Sequence, residues 1–237
     1  MRIKIIFDKI TENKKLHTGW GVSFLADDRI LFDTGENGSW LMENMKYLRV
    51  NISTMEAVVI SHDHWDHQGG LWELLKNKIG LTVYACPNFS AGFKEKVRSL
   101  KGNLIETKKN IEISKGIFIT GEIAGEYKGE YMPEQALVAK TDKGLTVITG
   151  CAHPGIIKIL NNVKKTFPHE DIYAVLGGFH LMDNDDRLIG IIADEFKKMG
   201  VRKAGSTHCS GPKAEEVFKL KFQNDFIQVI VGKEVEI

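Results

Sequence analysis

Three histidines and two aspartates fall within six consecutive positions, His62-Asp63-His64-Trp65-Asp66-His67. They follow the apolar run Ala57-Val58-Val59-Ile60, whose length suits a buried strand. Residues two apart on an extended segment point the same way, so His62 and His64 can reach one divalent metal together. Asp66 and His67 come where the chain turns and face a second metal a few ångströms away. Imidazole and carboxylate donors in this number suit two ions of the zinc type. Gly69-Gly70 let the backbone pass close to such a site without a Cβ clash, and Leu71-Trp72-Glu73-Leu74-Leu75 starts a helix. The plainer reading, polar loop residues satisfied by water and backbone, suits a lone histidine better than this cluster at a strand end.

Three further stretches carry metal-ligand or polar residues. They are Leu31-Phe32-Asp33-Thr34-Gly35, Thr149-Gly150-Cys151-Ala152-His153-Pro154-Gly155 and Ser206-Thr207-His208-Cys209-Ser210-Gly211. Together with H-x-H-x-D-H and in this order, they resemble the motifs of the metallo-beta-lactamase superfamily, over essentially the whole chain. The resemblance implies an α/β (α+β) fold, a four-layer αβ/βα sandwich of two mixed sheets flanked by helices, in a single catalytic domain spanning residues 1–237. It implies a first metal on His62, His64 and His153, and a second on Asp66, His67 and His208. Asp33 is then either a carboxylate that orients a metal-binding histidine or an Asx-turn between a strand and the next helix.

Most binuclear members of the superfamily carry a bridging aspartate between the third motif and the last histidine. The matching stretch here is Val175-Leu176-Gly177-Gly178-Phe179-His180-Leu181, with His180 at that position. The two nitrogens of an imidazole point apart, so His180 is expected as a ligand on one metal or as a group acting on substrate. Gly177-Gly178-Phe179-His180-Leu181, with the Gly150–Ile156 and Thr207–Gly211 stretches, resembles one subgroup. Its label is 7,8-dihydropterin-6-yl-methyl-4-(β-D-ribofuranosyl)aminobenzene 5′-phosphate synthase, tied to pterin cofactor biosynthesis. Glu134-Gln135-Ala136-Leu137 resembles an Asp-Gln-Ala-Leu element of that subgroup.

The chemistry implied is a metal-activated hydroxide attacking an ester, phosphoester or related anionic substrate, with Asp66 and His180 as the catalytic residues beside the metals. Zinc is the first expectation for both ions, with iron or manganese as alternatives. Redox members of the superfamily usually have a glutamate where this chain has His64, which favours a hydrolytic site. The pterin-linked synthase or transferase differs from a hydrolase in whether a second substrate or water attacks. A non-catalytic metal-binding or ligand-binding sensor and a redox di-iron protein are the competing classes. Cys151 and Cys209, beside proposed ligands, could bind zinc or iron as thiolates, but read first as small apolar space-fillers. Trp20 and Trp65 are candidate pocket walls. Gly125–Pro133, with Tyr127 and Tyr131, is a candidate lid whose rings could stack on a flat substrate.

The composition, 43% hydrophobic and 27% charged residues, is that of a globular protein. A net charge of +1 and scattered lysine pairs argue against a nucleic-acid partner. No segment has the length of a membrane span. Three cysteines suggest reduced thiols and a cytoplasmic home. The expected partner is a small anionic substrate, aromatic or pterin-like. Periodicity predicts strands at 3–7, 21–26, 29–32, 57–60, 81–85, 135–141, 144–149, 172–176, 203–206 and 226–231. It predicts helices at 40–48, 70–77, 90–100, 156–166, 187–199 and 212–222, so each proposed ligand follows a strand.

Overall fold

The computed structural model describes residues 1–237. Its contacts divide into two compact units, Met1–Lys109 with Ile230–Glu236, and Asn110–Val229 with Ile237. The first unit opens with β1 (Arg2–Phe7), β2 (Ser23–Ala26) and β3 (Ile30–Phe32). Asp27 and Asp28 turn β2 into β3 with φ of 51° and 56°, the paired left-handed geometry that matches the twist of a hairpin. Next come α1 (Gly38–Tyr47), β4 (Ala57–Val59), the short helix α2 (Trp65–Gln68), α3 (Leu71–Asn77), β5 (Thr82–Ala85), α4 (Ala91–Ser99) and β6 (Asn103–Glu106). The side chains of Asn37 and Ser90 cap α1 and α4 by accepting from Trp40 N and Phe93 N.

The second unit runs through β7 (Ile111–Ser114), β8 (Ile117–Ile119), β9 (Glu126–Tyr127), β10 (Glu130–Tyr131), β11 (Leu137–Thr141) and β12 (Gly144–Thr149). It continues with α5 (Ile156–Thr166), β13 (Ile172–Gly178), α6 (Asp186–Lys198), β14 (Lys203–Thr207) and α7 (Gly211–Phe222). The chain then returns to the first unit as β15 (Glu234–Glu236).

Each unit has its own sheet. The first has seven strands in the order β15-β1-β2-β3-β4-β5-β6, parallel from β3 to β6. The second has six in the order β14-β13-β12-β11-β8-β7, parallel across β12, β13 and β14. β3 and β4, fully buried and parallel, read as unbroken apolar runs, as a sheet covered on both faces favours. Leu41, Met45, Leu74 and Val97 of the helices pack with Leu31, Val58 and Val83 in the first core. Ile159, Leu160, Ala193 and Phe218 pack with Val147 and Val175 in the second. No helix is long and apolar enough to cross a membrane.

One expected strand is absent. Phe226–Val231 is extended but holds only isolated bridges, at Phe226 and Val231, and the last strand is instead the charged Glu234-Val235-Glu236, paired antiparallel to β1. Val229, Ile230 and Val231 are buried. Burial produced the apolar pattern, and ladder pairing did not.

Candidate metal centre

The proposed ligands of the first unit lie just past β4, a parallel strand, and on α2. His62 Nε2 and His64 Nδ1 come within 3.1 Å of each other. Two nitrogens at about 2.0–2.1 Å from one tetrahedral ion stand roughly 3.3 Å apart, so this pair has the spacing of co-ligands. His67 Nε2 lies 3.4 Å from Asp66 Oδ2, and the rings of His62 and His67 are 4.1 Å apart. His62, Asp66 and His67 are buried, and His64 is half-buried.

Asp33 organises this group. Its carboxylate accepts from Ser61 N at 2.7 Å and from Ser61 Oγ at 2.7 Å, and contacts His67 Nδ1 at 2.6 Å. Ser61 Oγ in turn lies 2.9 Å from His62 Nδ1. One buried carboxylate thus fixes His67 directly and His62 through a hydroxyl, and each ring keeps its Nε2 for the donor cluster. The carboxylate is thus spent on Ser61 and His67, an arrangement of the kind that outer partners of metal-binding histidines adopt. Burial by itself lowers the pKa of His67, but the charges and hydrogen bonds of Asp33 and Asp66 outweigh it and hold the imidazole well above its ordinary value. Thr34 N and Oγ1 both donate to His67 O, at 2.9 and 2.8 Å. Gly70 completes the contact, because a Cβ there would lie 2.2 Å from Thr34 O. Asp63 points elsewhere, accepting from Gln68 Nε2 and Ser90 N at 2.7 Å each.

In the second unit the remaining candidates follow β12, β13 and β14. Glu134, fully buried, receives the backbone N–H groups of Cys151 at 3.0 Å, Ala152 at 2.9 Å and His153 at 2.8 Å. The loop carrying His153 is therefore moulded on a single carboxylate. Ser210 Oγ accepts from Phe179 N at 2.9 Å, and Cys209 O accepts from Leu181 N, which ties the turn bearing His180 to the stretch bearing His208. Ala152, His180 and His208 have φ of 65°, 53° and 51°. Non-glycine residues held in this region cost about 1–3 kcal/mol each and cluster at functional sites.

His180 is exposed, with its ring 4.5 Å from that of His153. Tyr127, on the β9–β10 hairpin, lies 4.9 Å from His153 and 5.8 Å from His180. Tyr131 turns outward, its hydroxyl donating to Glu122 at 3.2 Å. Two donor clusters form here, each with its atoms within 4.8 Å: Cys151, His153 and His180, and Cys151, His208 and Cys209. Hydrogen bonding to Cys209 raises the pKa of His180 against the opposing effect of burial. Burial pushes the Cys209 thiol up, but contacts with Cys151 and His180 and the nearby imidazoles hold it well below its ordinary value. None of the three cysteines forms a disulfide. In the first unit, Trp65 lines a cavity of about 500 Å³ with Asp63, Trp72, Phe93 and Lys96. Trp20 is exposed and its backbone N–H donates to Glu36 Oε1.

Ser61, Glu134 and Ser210 escaped the sequence reading as functional residues. A serine directly before a proposed ligand histidine is the one local sign that could have revealed Ser61.

A family model described as the metallo-beta-lactamase superfamily matches residues 22–127. A Methanocaldococcus jannaschii protein named 7,8-dihydropterin-6-methyl-4-(beta-D-ribofuranosyl)-aminobenzene-5'-phosphate synthase is 33% identical, covering 91% of this chain and 89% of its own. This chain belongs to the metallo-beta-lactamase superfamily. An uncharacterized protein of the same organism is 32% identical to this superfamily member over 99% of the chain and 100% of its own length. The crystal structure of Tm1679, described as a metal-dependent hydrolase of the beta-lactamase superfamily, superposes with a TM-score of 0.85 at 30% identity, covering 100% of this chain and 99% of that one. The metallo-beta-lactamase fold, two large mixed sheets flanked by helices, is thus established for this chain.

Proposed function

We propose that the chain is a metal-dependent enzyme that holds two divalent ions, zinc in the first instance, with His62, His64 and His153 on one and Asp66, His67 and His208 on the other. The observation that carries this reading is Asp33, one buried carboxylate that fixes His67 and, through Ser61, His62, while both Nε2 atoms remain among the donors. Surface histidines need no such scaffold, whereas metal ligands do. When bound, ions of this kind polarise a carbonyl or phosphoryl oxygen and lower the pKa of water.

The chain's own residues supply orientation and proton handling. Asp66, beside His67, anchors the attacking group. His180, exposed next to His153, protonates a leaving group or receives an anionic substituent. Tyr127 offers a flat face to an aryl or pterin ring. The substrate in this reading is a small anion, with no nucleic acid or membrane involved, and the location is cytoplasmic. The 33% identity to a protein named as a pterin-linked synthase supports that substrate class. The 30% identity to one described as a metal-dependent hydrolase supports the metal chemistry. Assays of the zinc-loaded protein against phosphodiesters, esters and a dihydropterin paired with an aminobenzene ribofuranosyl phosphate test the reading. Turnover of the paired substrates with release of the leaving group supports the synthase. Hydrolysis alone supports the hydrolase, and inactivity on all of them despite bound metal contradicts the enzyme.

A further inference from the structure

We propose that Cys151 is a metal ligand whose thiolate bridges the ion held by His153 and the ion held by His208, an inference that rests on the two-metal reading above. Cys151 Sγ lies 3.3 Å from His208 Nε2. Nitrogen at about 2.0–2.1 Å and sulfur at about 2.3 Å from one tetrahedral zinc ion stand roughly 3.5 Å apart, so the observed pair has the spacing of co-ligands. Cys151 is also the one residue common to both donor clusters of the second unit, the one with His153 and His180 and the one with His208 and Cys209. A donor that neighbours both imidazoles is positioned to touch both ions.

The chemistry agrees with that position. A thiolate sulfur has lone pairs for two metals, whereas each imidazole nitrogen has one. His153, His180 and His208 supply no negative charge as ligands, and the buried carboxylate nearby, Glu134, is committed to three backbone N–H groups. Two of those N–H groups belong to Cys151 and Ala152, so the same contact fixes the backbone that carries Sγ. Zinc and iron both accept thiolate. Loading exchanges the S–H proton, released to solvent, for bonds to metal and needs no oxidant. A pure space-filling role suits Cys86, which packs among the apolar residues of the first core, and does not explain a sulfur set between ring nitrogens. Cys209 Sγ donates to Cys151 O at 3.4 Å and belongs to one of the two clusters, so it is the sulfur that supports and Cys151 the one that ligates.

The test is the absorption spectrum of the full-length protein loaded with cobalt(II), for the wild type, Cys151→Ser and Cys209→Ser, with bound cobalt measured in each. The wild type and Cys209→Ser should show a sulfur-to-cobalt charge-transfer band in the near ultraviolet. Cys151→Ser should lose it, keep its ligand-field bands, and bind both cobalt equivalents more weakly by more than the roughly 10- to 100-fold that loss of an outer partner costs. A wild type that binds cobalt without the band overturns cysteine ligation and leaves the metal reading standing. No cobalt uptake overturns both. A band lost in Cys209→Ser assigns the sulfur to the other cysteine, and weakening of one equivalent alone in Cys151→Ser makes Cys151 terminal, so either result overturns the bridge. If Cys151→Ser does not fold, the wild-type and Cys209→Ser spectra still decide sulfur ligation, and stepwise loading of the wild type decides the bridge: band intensity that grows with both cobalt equivalents supports it, and growth with one equivalent alone overturns it.

Discussion

Asp33 makes three contacts from a fully buried position, two with Ser61 and one with His67. Its removal leaves donors without acceptors inside the protein, at about 1–3 kcal/mol for each unsatisfied group. Asp33→Ala should therefore lower unfolding stability by at least about 3 kcal/mol and weaken metal binding roughly 10- to 100-fold. Denaturant unfolding and metal titration check the two effects, and unchanged metal affinity would remove Asp33 from its orienting role. His180 raises a separate question, because its position suits a ligand or a proton donor. His180→Ala should retain metal while turnover falls roughly 10²- to 10⁴-fold, the range of a general acid. Elemental analysis beside the rate assay separates the cases, since parallel loss of metal would make His180 a ligand.

Elements position these residues, and their ends matter more than their middles. The sequence alone locates β4, β12 and β13, because each is a largely apolar run that stops at a glycine or polar motif, whereas β14, Lys203-Ala204-Gly205-Ser206-Thr207, has no apolar run and is placed by the motif that follows it. The helix α2 is a single turn, too short for any periodicity. The β9–β10 hairpin pairs through backbone groups around Lys128-Gly129 and shows only as a glycine-rich connection. Phe226–Val231 misleads because burial in an extended segment has the same apolar signature as a strand. Glu134 is a carboxylate at a buried position, and nothing local to it in sequence points to residues 151–153, which it holds. At this scale, Glu134→Ala should leave three buried N–H groups unpaired and cost at least about 3 kcal/mol, read as a lowered denaturation midpoint. Gly178 joins the ends of β12 and β13. A Cβ there would lie 2.3 Å from Gly150 O and 2.6 Å from Cys209 Sγ. Gly178→Ala should therefore destabilise by about 1–3 kcal/mol through overpacking, checked by thermal unfolding.

At the scale of the whole molecule, superfamily membership was legible because the motifs fall in order along the full chain, while the geometry within each motif was not. Which nitrogen of His62 or His67 faces the donors depends on Ser61 and Asp33, and no spacing rule carries that information. Because ligands that bind only the folded state stabilise it, metal should stabilise the protein by about 2.7 kcal/mol at a free concentration of about 100 times Kd. For a chain of this size that corresponds to a Tm shift of about 5–10 °C, lost on chelation and recovered on adding zinc. The most direct measurement of the central claim is elemental analysis of metal per chain, on protein purified without added metal and again after zinc or iron is supplied, with the His62→Ala, His64→Ala double variant alongside. The account predicts about two ions per wild-type chain, as two-metal hydrolytic centres hold, and about one in the variant. A wild-type chain that takes up no metal even when supplied, or a variant that binds as much as the wild type, would contradict it.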